Sequence, residues 1–184
     1  MNETNGTTDA APRSFPAGAV LDSLGVHGCA RIEDALLAGL ASGTPILLIG
    51  TPGCAKTLLA RRLAEALHQR FWGYDASKAM FEDVLGFPDP QSLSTGEVRY
   101  VPTPMSLYDK QFVLIDEISR ANPAMQNKWF EVIHGRTILG MALPNVRHVI
   151  AAMNPPGSAG THPLEEALAD RFPCVIEMPD FHAM

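Results

Sequence analysis

No stretch of the 184 residues approaches the roughly 18 consecutive apolar side chains that a helix needs to cross a bilayer. The amino terminus, MNETNGTTDAAPRSFPAG, has no positively charged segment leading into an apolar one. Membrane insertion and secretion therefore find no support in the sequence. Cysteine is scarce: Cys29, Cys54 and Cys174 are odd in number, far apart and form no CxxC pair, which argues against a disulfide framework and a structural zinc site. The histidines (His27, His68, His134, His148, His162 and His182) show neither HxxxH nor Cys/His spacing, so no metal centre is expected from them. A reducing, cytoplasmic setting fits this thiol usage. Positive charge is also short: 14 Lys and Arg stand against 20 Asp and Glu, a formal net charge of -6, so no global field gathers the phosphates of DNA or RNA. Internal repeats, low-complexity tracts and a Ser/His/Asp triad are absent too.

What is present reads as one globular domain. Hydrophobic residues make up 46% of the chain, and its length allows a single sizeable core but not two full domains. Residues 1–14 carry too little apolar surface to offset the entropy of ordering them, so a disordered tail is expected. From Arg31 to Ser42, Ile32, Leu36 and Leu40 recur every four residues as the stripe of an amphipathic helix, with Gly43 to end it. Leu59, Leu63 and Leu67 mark a second helix running to about Gln69. Five apolar runs, Pro45–Ile49, Arg70–Asp75, Gln111–Asp116, Val146–Asn154 and Pro173–Met178, are strand candidates. Asn122-Pro123 is an N-cap followed by proline at the first helical position, opening a helix that carries Met125, Trp129, Phe130 and Ile133. Turns at Ser94-Thr95-Gly96 and Leu139-Gly140-Met141 suggest hairpins. Strands alternating with helices predict an α/β layered fold around a mainly parallel sheet.

The chemistry concentrates in two places. GTPGCAKT (Gly50, Thr51, Pro52, Gly53, Cys54, Ala55, Lys56 and Thr57) joins a buried strand to a helix, the context in which such a loop cradles phosphate. Backbone N–H groups and the helix N-terminus would face the β-phosphate, Lys56 would reach the β- and γ-oxygens, and Thr57 would ligate Mg²⁺. Ala55 occupies the place of the second glycine in the general pattern, where a positive φ costs a residue with a Cβ roughly 1–2 kcal/mol; Gly53 is expected to absorb the sharpest bend. The bland alternative is a Gly/Pro turn with a solvated lysine. Cys54, at a variable loop position, is expected to act as filler. About sixty residues on, FVLIDE places Asp116 and Glu117 at the carboxyl end of a strand, where ligands bind in open α/β sheets. Asp116 would hold Mg²⁺ through water and Glu117 would orient or deprotonate the attacking water. Asn154 ends a further buried strand in a polar amide that suits water orientation. Arg171, in ADRF, is either a cation projecting toward a neighbouring subunit's phosphate or a charge favoured at a helix C-terminus.

The series GTPGCAKT, FVLIDEISRANPAMQN, VIAAMNP and LADRF, in this order, resembles the AAA+ ATPases and, within them, the MoxR-like clade, over about residues 20–180. MoxR-like proteins commonly carry GPPGxAK, which accounts for Ala55, and a DEINRA segment similar to IDEISRA here. The resemblance implies a three-layer P-loop fold over residues 15–184. It makes Lys56 and Thr57 Walker A, Asp116 and Glu117 Walker B, Asn154 sensor 1 and Arg171 the arginine finger. ATP and Mg²⁺ are the implied ligands, with nucleotide held between subunits of a ring, usually hexameric. A von Willebrand factor A domain protein is an implied partner, and remodelling or assembly of proteins the implied work. Val26 and His27 match a V-x-G stretch that the family packs near the adenine. The two hairpins match family loops that face a pore or substrate, or are plain surface turns. The helical lid that AAA+ proteins place after the last strand has no counterpart up to Met184. Two other readings stay open: a nucleotide-binding scaffold with little hydrolysis, and another P-loop enzyme such as a small-molecule kinase.

Overall fold

Strands that are apolar on both faces need cover on both faces, and that requirement organises this chain. The structure, a computed structural model, describes residues 16–158, 164 and 166–180. The expected tail at 1–14, and His162 and His182, lie outside the described residues. Along the chain come α1 (Ala19–Ser23), α2 (Ala30–Ala41), β1 (Ile46–Ile49), α3 (Lys56–Ala66), β2 (Phe71–Asp75), α4 (Phe81–Leu85), β3 (Phe87–Pro88), α5 (Pro90–Leu93) and β4 (Tyr100–Val101). They are followed by β5 (Phe112–Asp116), α6 (Pro123–Gly135), β6 (Thr137–Ile138), β7 (Met141–Ala142), β8 (His148–Met153), α7 (Glu166–Ala169) and β9 (Cys174–Glu177), with 3-10 turns at Leu107–Asp109 and Ile118–Arg120.

Among the described residues, the expected runs form one parallel sheet in the order β2-β5-β8-β1-β9. Side chains alternate across it. Ile46, Leu48, Leu114, Ile150, Ala152 and Ile176 face α1, α2 and α3. Leu47, Val113, Ile115, Val149, Ala151 and Met153 face the layer built from α4 and α6. The result is the three-layer α/β fold that the alternation of strand and helix predicts.

The helices form for reasons legible in their residues. In α2 the stripe Ile32, Leu36 and Leu40 is buried as expected, and Gly43 follows with a φ of +66°. In α6 the Asn122 side chain accepts from the Met125 N–H at 3.0 Å, with Pro123 at the start. Its Met125, Trp129 and Ile133 are buried, whereas Phe130 is only partly so. Glu33 is a buried carboxylate on the apolar stripe of α2. It accepts from the N–H groups of Gly18 at 3.0 Å and Leu21 at 2.7 Å, and so docks α1 onto α2.

Two turn expectations need adjustment. Ser94-Thr95-Gly96 does lie in the connection between two antiparallel partners, β3 and β4, but as one turn of a long connection and not as a tight hairpin turn. β3 and β4 pair over only two residues each, and the chain between them holds α5, whose start is capped by the Asp89 side chain. In the second hairpin Leu139 and Gly140 form the turn, both at positive φ (+50° and +75°), while Met141 already belongs to β7.

Candidate active site

Parallel strands bring their carboxyl ends to one edge of a sheet. β8 lies between β1 and β5, so the ends of these three strands are neighbours at that edge. Gly50–Ala55 leads from β1 into α3. Gly53 (φ +84°) and Ala55 (φ +65°) both adopt the left-handed region, so Gly53 does not take the bend alone and Ala55 carries its own strain. A Cβ on Gly50 would stand 2.5 Å from Cys54 Sγ and 2.7 Å from Met178 Cβ, so glycine is what lets the loop close against the segment leaving β9.

Several features of this loop fit a phosphate ligand. Among the described residues, the N-cap position of α3 makes no side-chain cap and its first turn holds no acid, which suits a positive dipole end that receives an anion. Thr51 Oγ1 is buried with no hydrogen-bond partner among the described residues. The loop and the carboxyl strand ends enclose a cavity of about 300 Å³, lined by 52–58, Asp116, Glu117 and Asn154.

Inside it the expected residues meet. Lys56 Nζ donates to Gly50 O at 2.6 Å, Thr51 O at 3.1 Å and Asn154 Oδ1 at 3.3 Å, and lies 3.7 Å from Cys54 Sγ. Asn154, only 1% exposed, donates through Nδ2 to Glu117 Oε1 at 3.2 Å and Oε2 at 3.3 Å. The Thr57 hydroxyl donates to Asp116 Oδ2 at 2.7 Å. A hydroxyl and a carboxylate oxygen side by side are the hard donors that Mg²⁺ takes from a protein when substrate phosphates and waters supply the rest. Glu117 leaves the strand at a φ of +54°, a conformation unusual for a residue with a side chain.

Other expected residues lie elsewhere. Val26 is 3% exposed and packs in the core with Leu21, Cys29 and Cys54. His27 is exposed and pairs with Asp22 at 3.2 Å. Neither lines the cavity. Gly28, next along, lines a separate hollow with Arg31, Ile32 and 177–180. Arg171 is exposed just before β9, at the amino edge of the sheet, with its guanidinium 5.3 Å from the Phe130 ring. Nearby Arg136 is committed to the end of α6, donating to Ile133 O at 2.7 Å, Val132 O at 3.2 Å and Gly43 O at 3.3 Å, and burial pushes its guanidinium below its ordinary value. Sequence reasoning missed Arg120, whose Nε stands 3.2 Å from Glu117 Oε2. The available signal was its position three residues after Glu117.

Comparison with known proteins identifies the family. Residues 45–172 match the family model described as AAA domain (dynein-related subfamily). The chain is 32% identical over 157 residues to the uncharacterized protein YeaC of Bacillus subtilis (strain 168), covering 79% of this chain and 47% of that one. It is 30% identical over 152 residues to Chaperone MoxR1 of Mycobacterium tuberculosis (strain ATCC 25618 / H37Rv), covering 80% and 39%. A crystal structure of an ATPase candidate from Cytophaga hutchinsonii ATCC 33406 superposes with a TM-score of 0.64 at 30% identity, over 90% of this chain and 52% of the other. The chain thus spans about half the length, or less, of the curated relatives it matches.

Proposed function

Since the chain belongs to the AAA+ ATPases, in their MoxR-like branch, we propose that it binds ATP with Mg²⁺, hydrolyses it, and uses the cycle to remodel or assemble protein partners. The observation that carries this reading is the continuous contact Lys56–Asn154–Glu117 across one cavity. It joins a phosphate-binding cation to a carboxylate able to orient water.

The roles follow from the donor set. Lys56 and the loop N–H groups bind the phosphates. Thr57 and Asp116 would hold Mg²⁺, which when bound neutralises charge on the phosphate oxygens. Glu117 takes a proton from the attacking water, and Asn154 fixes the carboxylate's direction. Arg171, at the opposite edge of the sheet, serves a neighbouring copy's site, which favours a homo-oligomer, hexameric as in the family. A von Willebrand factor A domain protein and a cytoplasmic setting complete the proposal. Among the described residues no helix is long and apolar enough to cross a membrane.

Malachite-green phosphate release tests it. Wild type should release phosphate with Mg-ATP, and Lys56→Ala and Glu117→Gln should each reduce the rate by on the order of 10² or more. If wild type binds labelled ATP yet turns over no faster than either variant, the chain is a nucleotide-binding scaffold and the hydrolase reading fails.

A further inference from the structure

Two arginines border a hollow of about 390 Å³ at the amino edge of the sheet, and they are held in opposite ways. Arg136 commits its planar fork to the carbonyls of Ile133, Val132 and Gly43. Among the described residues, the partner of the Arg171 guanidinium is instead a ring face: Phe130 on α6, with 5.3 Å from the guanidinium carbon to the ring centre. A ring attracts a cation through its quadrupole, with no carbonyl or carboxylate oxygen to occupy the N–H donors that bind phosphate in pairs.

Both partners are set in place by the fold. Phe130 packs against the buried cluster that α6 shares with the sheet. The His134 ring, one helical turn on, lies against it with centres 5.6 Å apart and planes inclined at 38°. Arg171 stands in the turn after α7, which packs on α6. Its N–H donates to Leu168 O at 3.2 Å, and Leu168 and Phe172 to either side are buried. The backbone of Arg171 is thus anchored, and what remains to be directed is a long side chain with several rotatable bonds.

We propose that Phe130 is a positioning residue for Arg171: its ring is a shelf that holds the guanidinium at the amino edge with its donors free, so that it meets a neighbouring copy's phosphate already ordered. The inference rests on the reading of Arg171 as serving that copy's site. Ordering an arginine costs entropy, and a shelf that orders it beforehand removes that cost from the chemical step. Phe130 acts through Arg171, so its loss slows turnover and leaves the phosphate loop's affinity for ATP alone.

The test is steady-state phosphate release with thermal melts alongside. Phe130→Leu, which keeps apolar bulk and loses the ring, lowers kcat by roughly 3- to 10-fold with KM for ATP within about twofold of wild type. Phe130→Trp, which keeps an aromatic face, retains most of the rate. Phe130→Leu added to Arg171→Ala slows it no further. Mixtures then separate a shelf from general damage to the fold. Lys56→Ala/Phe130→Leu mixed with Arg171→Ala puts the lost ring on the copy that supplies the arginine, and that mixture is slow. Lys56→Ala mixed with Arg171→Ala/Phe130→Leu puts it on the copy that supplies the loop, and recovers as the mixture with Phe130 intact does. Equal slowing of both mixtures, or a Phe130→Leu rate equal to wild type while Arg171→Ala is slow, overturns the shelf and leaves the arginine reading standing. If Arg171→Ala is as fast as wild type, the arginine reading fails and the shelf fails with it.

Discussion

The Thr57 hydroxyl and the Asp116 carboxylate, 59 residues apart in sequence, meet at 2.7 Å and tie the first turn of α3 to the end of β5. Both are oxygen donors beside the phosphate loop, and replacing one isosterically separates metal from nucleotide. Thr57→Val should leave ATP binding in excess chelator within about twofold of wild type, while Mg-dependent phosphate release falls by on the order of 10². Titration of labelled ATP with and without Mg²⁺, beside the rate assay, reads both. Equal Mg-dependent rates for variant and wild type would remove Thr57 from the metal site.

Arg171 stands at the amino edge of the sheet and the phosphate loop at the carboxyl edge. On the proposed reading, each chain would offer half of two different sites. Arg171→Ala and Lys56→Ala should each be nearly inactive alone, the arginine contributing on the order of 10³ in rate. Mixed in equal amounts they should recover about a quarter of the wild-type rate, the share of head-to-tail junctions that pair an intact loop with an intact arginine. No recovery on mixing would place the arginine's action within its own chain or nowhere.

Glu33 predicts a stability effect without a functional residue. Glu33→Ala removes the acceptor of both the Gly18 and Leu21 N–H groups at the start of α1. With two buried donors left unmatched, the loss is about 2–4 kcal/mol. At roughly 2–4 °C per kcal/mol for a chain of this size, circular-dichroism melts should shift down by about 5–15 °C. Glu33→Gln, which keeps one carbonyl acceptor, should lose less. A melt unchanged in Glu33→Ala would mean that α1 contributes nothing to the cooperative unit.

His148 gives the pH dependence. Its Nδ1 pairs with Gln69 Oε1 at 2.8 Å and its Nε2 with Leu40 O at 3.1 Å. Burial pushes its pKa down, the charges of Arg136 and Arg147 add to this, and the Leu40 carbonyl opposes it. Folding therefore favours the neutral ring, while the unfolded chain takes up its proton near the ordinary value of about 6.5. Stability from this group is full above that pH and declines as pH falls toward the folded pKa. Melting temperatures at pH 7.5 and 5.5 should differ more for wild type than for His148→Gln. Equal differences would show that other groups set the acid limb.

The sheet was readable because β1, β5 and β8 are apolar on both faces, a pattern with few alternatives in so short a run. The residues gathered at its edge were readable because a glycine-rich turn and an acidic pair each follow such a strand. Other features follow from tertiary contact and leave no periodic trace. Glu33 sits beside Ile32 in a helix whose stripe gives no reason to bury a carboxylate. Ala55 and Gly53 share the loop's reversal, and sequence assigned it to the residue without a side chain. The β3–β4 pairing is two residues long, shorter than any alternation can register. Val26 has the character of a core residue, and the core is where it lies.

At Gly50, the closeness to Met178 has a mechanical side. Met178 N donates to Ile49 O at 2.7 Å, and even one methyl on Gly50 would strike the Met178 side chain. The point where the chain leaves the sheet and the point where the phosphate loop begins are in rigid contact, with no compliant layer between them. A pull or twist applied beyond β9 would therefore reach the loop directly, and any movement of the loop on binding a ligand would reach the end of β9 by the same contact.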